Sequence, residues 1–228
     1  ARKLGARELE TVVTAPGRQG DSPERLLDTL GRATASEVRV LSGEEEGKLS
    51  FAGALARAPR TDGVIAVCDV GGGSTEIAVG THALGPAWVR SLDLGSLRLT
   101  AALLADDPAT GKQIEAARAA VGDDFADIVP PRPDFALATG GSARAVGRLV
   151  GGAYGAQELE HVVERLSRRT SEENAKELGL RPDRARTLIG GALILAEVSR
   201  RLDRPLTPAR GGLREGTALR LAAQRVAA

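Results

Sequence analysis

The sequence predicts an α/β fold, and three observations lead to this prediction. Short apolar, β-branched runs typical of strands recur along the chain, and longer segments with the apolar spacing of helices separate them. The clearest strand pair is VIAVCDVGGGSTEIAVG, residues 64–80, where two apolar runs flank three glycines and predict a β-hairpin. At 228 residues, the chain can form one large domain or two small ones, each with its own core.

The segment before the hairpin is predicted to alternate between helix and strand. We expect the end of a helix over 2–9, a strand over 10–14, a loop over 15–22 that carries Arg18, a helix from Ser22 and a strand over 37–41. Ser42 followed by Glu45 is a capping box, so a further helix begins there. Its first turn also carries Glu44 and Glu46, and these acids complement the helix dipole. A polar segment, 57–63, then leads to the hairpin.

The segment after the hairpin is predicted to be mostly helical. Short strands are expected over 87–92, 135–138 and 205–208, and helices over 94–104, 110–121, 143–150, 157–169, 171–178 and 182–202, with a last helix after 211–216. A second glycine loop, Thr139-Gly140-Gly141-Ser142, joins a strand to a helix. Loop amides and a helix N-terminus can together bind an anion, although a plain strand–helix connection explains the same residues.

The glycine hairpin carries the strongest chemical signal. Glycines can aim several backbone N–H groups at one anion and can adopt positive φ to do so. Asp69 precedes the glycines and Glu76 follows them, and two carboxylates beside a phosphate cradle suit Mg²⁺. The alternative to a phosphate site is an ordinary tight hairpin with a charged residue on each side of its turn. The predicted phosphate-binding residues are Gly71, Gly72, Gly73, Ser74 and Thr75, together with Gly140, Gly141 and Ser142 in the second loop.

Composition excludes several classes of function. The net charge of +1 argues against bulk binding of duplex nucleic acid or of a membrane surface. No apolar stretch is long enough to span a bilayer, the start of the sequence is charged, and we expect a cytoplasmic protein. Cys68 is the only cysteine, and neither His82 nor His161 lies near a motif. The chemistry therefore rests on carboxylates, backbone amides, arginine and a metal ion.

Five stretches, taken in order, resemble a known family. They are VLSGEEEGKLSFAG, VCDVGGGSTEIAVG, SLDLGSLRLT, ATGGSARAVGRL and GGLREGTALRL, and they extend from about Val38 to Leu221. The family they resemble is the exopolyphosphatase and guanosine pentaphosphate phosphohydrolase family, written Ppx/GppA. The central motif and GLREG are its most specific parts.

The resemblance implies an actin-like, ribonuclease-H-like fold of two lobes with the active site between them. Residues 1–60 would then be the remainder of lobe one, and residues 61–228 would be lobe two. The implied reaction is Mg²⁺-assisted hydrolysis of terminal phosphate from polyphosphate or guanosine pentaphosphate. The implied site residues are Glu46 as catalytic base with Glu44 as the alternate, Asp69 and Glu76 beside the metal, and Arg18 facing the phosphates.

The chain departs from the family at its front. No D-x-G-[ST]-N-[ST] phosphate loop occurs before Glu10, and the sequence contains no methionine. We therefore expect a short member without the front of lobe one, and we expect this chain by itself to be inactive. A sugar or acid kinase of the same fold and a non-catalytic polyphosphate-binding or nucleotide-binding module remain alternatives. The preferred substrate and a homodimeric state are left open.

Overall fold

Two β-sheets organise the fold in the computed structural model, which describes residues 3, 5, 6, 9–20 and 22–227. A small parallel sheet pairs β1 (Thr11–Val13) with β2 (Val38–Val40). The larger sheet has the strand order β5-β4-β3-β6-β7. Its strands are β3 (Ile65–Val70), β4 (Thr75–Thr81), β5 (Gly85–Leu92), β6 (Phe135–Thr139) and β7 (Leu206–Pro208). The first three of them are antiparallel neighbours, whereas β6 and β7 run parallel to β3.

Helices cover both faces of the larger sheet. In chain order they are α1 (Ala15–Gln19), α2 (Pro23–Thr34), α3 (Gly43–Leu55), α4 (Ser96–Leu103), α5 (Gly111–Asp124), α6 (Gly140–Val150), α7 (Ala156–Ser167), α8 (Ser171–Leu178), α9 (Pro182–Arg186), α10 (Leu188–Leu202) and α11 (Leu213–Ala227). Among the helices described, none has the combination of length and apolar character that crossing a bilayer requires.

The strand β3 is buried on both of its faces because its side chains alternate between two cores. Ala66, Cys68 and Val70 belong to the large core, which also contains most of α10. Ile65 and Val67 face the other way, into a smaller core with Phe51 of α3. The hairpin motif therefore grows out of the most enclosed strand, which gives the glycine loop a rigid base.

The helices α3 and α11 touch backbone to backbone. A Cβ atom added to Gly53 of α3 would overlap the carbonyl oxygen of Gly212 and lie 2.6 Å from the amide nitrogen of Gly216. A Cβ atom added to Gly216 would likewise overlap the carbonyl oxygen of Leu49. The glycines of GGLREG are therefore packing residues, because only glycine lets the two helices approach this closely.

Most predicted elements are present, and the local signals explain them. The Ser42–Glu45 capping box forms, with the Ser42 amide donating to Glu45 Oε2 at 2.9 Å. The hairpin closes as predicted, with Asp69 and Glu76 opposite each other. Helix α8 ends at Gly179, whose positive φ of 59° marks a left-handed C-cap. The helix end predicted over 2–9 falls mostly outside the described residues.

Four predicted boundaries were wrong, and each has a local cause. The segment predicted as a loop over 15–22 contains α1, which starts where the Gly17 amide donates to the Thr14 carbonyl at 2.9 Å. Helix α6 starts at Gly140 rather than at residue 143. The helix predicted over 182–202 is two helices that meet at Thr187. Helix α11 starts before Gly216, because Glu215 accepts the Gly212 amide at 2.9 Å and caps it at Leu213.

Candidate functional site

Carboxylates from three elements gather around Arg18. Arg18 Nη1 donates to Glu46 Oε2 at 3.1 Å and to the Leu41 carbonyl at 2.6 Å, while Nη2 lies 3.9 Å from Glu76 Oε1. Helix α1 carries the arginine, and the first turn of α3 carries Glu46. Asp69 lies opposite Glu76 in the β3–β4 register. The structure thus brings together four of the residues that sequence predicted for the site.

Burial makes two of these carboxylates unusually basic. Glu46 is 7% exposed, and burial raises its pKa while the Arg18 hydrogen bond opposes the rise. Glu76 is 1% exposed, and burial, with the charge of Glu46 as the next cause, raises its pKa to about 8. A carboxylate with a raised pKa is a stronger proton acceptor than a free one, and this direction suits Glu46 to the work of a general base.

Asp69 occupies a different environment from Glu76. Ser50 Oγ, on α3, donates to Asp69 Oδ2 at 2.6 Å, and the side chain borders an open cleft. Glu76 instead accepts a hydrogen bond from Ser91 Oγ at 2.9 Å and lies beneath the cluster. Of the two predicted metal-linked acids, Asp69 therefore has the access to solvent that a metal shared with substrate requires.

The other acids of the α3 first turn face away from this cluster. Glu44 is exposed and forms an ion pair with Lys48 at 2.6 Å, one helical turn along. Glu45 caps the helix and pairs with Arg39 at 2.7 Å. Only Glu46 of the three is buried, so the geometry favours Glu46 over Glu44 as the base.

The glycine hairpin offers fewer amides than the sequence suggests. The Gly71 amide closes the turn by donating to the Ser74 carbonyl at 3.0 Å. Within the described chain, the amides of Gly72 and Gly73 have no hydrogen-bond acceptor, so they are available to an anion. The Thr75 hydroxyl is buried and donates to the Leu94 carbonyl at 2.6 Å, so it holds the following segment in place.

A steric constraint, rather than a positive φ, explains the glycine at Gly73 in this loop. None of the three glycines has a positive φ. A Cβ atom on Gly73 would lie 2.9 Å from the Cβ of Ala15, and the neighbouring Gly95 could not carry a Cβ without overlapping the Gly72 carbonyl. The loop is therefore packed tightly between α1 and the start of α4.

The second glycine loop lies beside Asp69. Gly140 has a φ of 93°, and a Cβ there would lie 3.2 Å from Asp69 Oδ1. The guanidinium of Arg184 covers Gly141. Ser142 is fully buried, with its hydroxyl unpaired and against Gly191 of α10, so it faces the core rather than the cleft.

Two clefts open on either side of the carboxylate cluster. One, of about 300 Å³, is bordered by Asp69, Thr139, the start of α6 and the β7–α11 connection. The other, of about 430 Å³, lies between α1, the glycine hairpin and α4, and Glu46 borders it. Glu46 and Asp69 thus each border a cleft that opens to solvent.

The donor set at this site fits Mg²⁺ only through Asp69. In the part of the chain that the structure describes, no group of three or more His, Cys, Asp or Glu side chains could hold a metal ion. Mg²⁺ is usually held by one or two carboxylates together with water and phosphate oxygens. Asp69 Oδ1 has no described hydrogen-bond partner and meets this need, whereas Glu76 is held by Ser91 and Arg18.

Sequence reasoning missed several site residues. Ser50 is one turn after Glu46 on α3, so helical spacing could have identified it. Ser91 is the register partner of Glu76 across β4 and β5, which only the strand alignment reveals. Arg184 is far from both glycine loops in sequence, and no local pattern indicates its position.

Comparison with known proteins places this site in a family. A model of the Ppx/GppA phosphatase family matches residues 1–225. The chain is 30% identical over 213 residues to exopolyphosphatase 1 of Mycobacterium tuberculosis, covering 86% of this chain and 61% of that protein. It is 31% identical over 217 residues to exopolyphosphatase 2 of the same species, covering 86% and 67%. The chain thus spans about three fifths of the length of exopolyphosphatase 1.

Solved structures support the same fold. The Aquifex aeolicus Ppx/GppA family member superposes with a TM-score of 0.82 at 22% identity, covering 98% of this chain and 77% of that one. An exopolyphosphatase from Cytophaga hutchinsonii gives a TM-score of 0.81 at 19% identity, covering 96% and 76%. These likenesses show the actin-like ATPase fold. Together with the family match, they establish that this chain belongs to the Ppx/GppA phosphatase family.

Proposed function

We propose that this protein releases terminal phosphate from linear polyphosphate by attack of water. The observation that supports this most is the buried Glu46, whose pKa burial raises, in the same cluster as Asp69 and beside a glycine loop with unpaired amides. Water attacks the terminal phosphorus, the bridging P–O bond breaks, and the polyphosphate leaves one phosphate shorter. The water proton passes to Glu46, which Arg18 orients through the 3.1 Å hydrogen bond.

Phosphoryl transfer depends mainly on positioning and on neutralising charge, and this site offers both. The amides of Gly72 and Gly73 can donate to oxygens of the terminal phosphate without rearrangement. Mg²⁺, when bound, would be held by Asp69 and would draw charge from the phosphate. Ser50 fixes the Asp69 carboxylate by donating to its other oxygen at 2.6 Å.

Guanosine pentaphosphate is a second substrate within the same proposal, since its terminal phosphate is joined by the same anhydride bond. The cleft that Glu46 borders favours guanosine pentaphosphate as a substrate, because Pro16, Leu97 and Ala101 give that cleft an apolar wall against which the guanine ring could lie. A cytoplasmic location, a homodimer and the division into lobes at about residue 60 also belong to the proposal.

The test is phosphate release from polyphosphate and from guanosine pentaphosphate by the full product of the gene that encodes this chain. We expect Glu46→Gln to lower the rate by about 10²- to 10⁴-fold, the usual contribution of a general base. Glu44→Gln is the matched variant, from the same helical turn but exposed and paired with Lys48, and we expect it to keep nearly full activity.

Three results would contradict the proposal. Retention of more than about a tenth of the rate in Glu46→Gln would exclude Glu46 as the base. Transfer of phosphate from ATP to a sugar or an acid, without hydrolysis of polyphosphate, would indicate a kinase. Tight binding of polyphosphate with no phosphate release would indicate a binding module.

A further inference from the structure

The cleft beside Asp69 is lined by arginines that have no partner. Arg144 from α6, Arg210 from the β7–α11 connection and Arg214 from the first turn of α11 border it, and we call it the arginine cleft. Within the described residues, none of the three forms a hydrogen bond or an ion pair, although most other arginines of the chain are paired. Three unpaired guanidinium groups in one cleft are a site for a multiply charged anion.

The two acids of the arginine cleft, Asp69 and Glu215, offset only part of the charge of its three arginines. Glu215 is occupied by the Gly212 amide at 2.9 Å, and Asp69 is occupied on Oδ2 by Ser50. The cleft also contains an unused donor: Thr139 is 1% exposed, and its buried hydroxyl has no hydrogen-bond partner. An unpaired buried hydroxyl is costly unless a ligand satisfies it, so this group points to an occupant that accepts hydrogen bonds.

The cleft on the other side of the cluster has a different character. Its single arginine, Arg98, donates to Gln19 Oε1 at 2.9 Å, and Pro16, Leu97 and Ala101 form much of its wall. A run of phosphates would gain little from such an apolar surface. The two clefts therefore differ in what they can bind, and the arginine cleft is the one suited to consecutive anionic groups.

We propose that the arginine cleft binds the phosphates next to the terminal one. A bound linear polyphosphate would then extend from the Asp69 site over α6 and α11 rather than past α4. This inference rests on the proposed function and adds to it the path of the substrate. A volume of about 300 Å³ accommodates a short anionic segment, and the rest of the chain continues into solvent.

Direct binding tests the proposal without requiring turnover. Fluorescence anisotropy of end-labelled long-chain polyphosphate is measured with the 228-residue chain in EDTA. We expect Arg144→Gln, Arg210→Gln and Arg214→Gln each to weaken binding by about three- to tenfold, and to make the salt dependence of Kd shallower. Arg148→Gln is the matched control, since Arg148 lies one turn further along α6 and borders a separate cavity with Leu178 and Leu180.

Several outcomes would overturn the proposal. Unchanged polyphosphate binding in the triple variant, which combines Arg144→Gln, Arg210→Gln and Arg214→Gln, would do so. An equal loss of polyphosphate binding in Arg148→Gln would also do so. Competition by single-stranded RNA at equal phosphate concentration would also do so, because the cleft would then be a general polyanion site. These arginines are exposed, so we expect thermal unfolding of the variants to match the parent protein.

The failure of this inference is distinguishable from the failure of the proposed function. If the full gene product releases phosphate and the triple variant keeps its kcat/KM on long chains, the substrate path is wrong while the activity stands. If the full gene product releases no phosphate but the arginine variants lose binding, the path stands while the activity is wrong. In the full gene product, a rise in KM caused by the arginine substitutions that is larger for long-chain polyphosphate than for tripolyphosphate would support the proposed path.

Discussion

Replacing Glu76 with glutamine should change the stability of the fold in a pH-dependent way. Glu76 is 1% exposed, and burial raises its pKa from 4.5 to about 8. Between these two values the folded protein retains a proton that the unfolded chain has released. Folding is therefore linked to proton uptake, and stability falls as the pH rises through this window.

The size of the effect follows from the displacement of the pKa. Each tenfold change in a protonation equilibrium is worth about 1.4 kcal/mol, so a pKa moved from 4.5 to about 8 corresponds to about 5 kcal/mol. This stability is present below pH 4.5 and is lost above about pH 8. Glutamine has the shape of the protonated acid and never ionises, so Glu76→Gln should avoid this loss.

Urea unfolding in EDTA at about pH 5 and about pH 9, near the two ends of the window between 4.5 and about 8, measures the prediction. We expect the variant to match the parent protein within about 1 kcal/mol at the lower pH and to exceed it by several kcal/mol at the higher one. Comparing the two proteins at each pH cancels the titration of the groups that do not interact with Glu76. Glu44→Gln, at an exposed acid, should show no such difference. If Glu76→Gln changed the free energy of unfolding by the same amount at both pH values, the reasoning would be refuted.

Three further predictions concern the metal, the helix crossing and the base. Asp69→Asn should raise the Mg²⁺ concentration for half-maximal phosphate release by about tenfold or more, and an unchanged activation curve would contradict this role. Gly53→Ala should lower the free energy of unfolding by about 3 kcal/mol, as overpacking does, whereas Gly122→Ala in α5, with open space around it, should not lower it. Arg18→Gln should move the acid limb of the pH–rate profile to higher pH, because Glu46 loses the hydrogen bond that lowers its pKa. An acid limb at the same pH in the variant and the parent protein would exclude this coupling.

The features that sequence predicted well are encoded locally. The hairpin follows from apolar runs on both sides of the glycines, and the start of α3 follows from Ser42 and Glu45. Gly179 ends α8 for a reason that concerns only its own backbone. Glu46, Asp69 and Arg18 were also predicted to lie at one site, because their motifs belong to a family pattern that spans the chain.

The features that sequence did not predict depend on contacts between distant segments. Helix α1 forms where the sequence predicts a loop, because the Gly17 amide donates to the Thr14 carbonyl at 2.9 Å and Gly17 packs closely against Val13 and Val40. The hydroxyl of Thr75 resembles a phosphate ligand in sequence, but the Leu94 carbonyl occupies it. The convergence of Arg144 with Arg214 requires the β6–β7 pairing, which has no signature in either segment.

The backbone contact between α3 and α11 has a consequence for how this protein can change over evolution. Glu46 is carried by α3, and the position of α3 is set by peptide atoms meeting peptide atoms at Gly53 and Gly216. Peptide geometry is common to all residues, so exchanging one core side chain for another does not alter this contact. Under the proposed function, Glu46 and Asp69 are therefore tuned through the groups around the carboxylates, such as Arg18 and Ser50, whereas a methyl group added at the crossing would shift α3 and carry Glu46 with it.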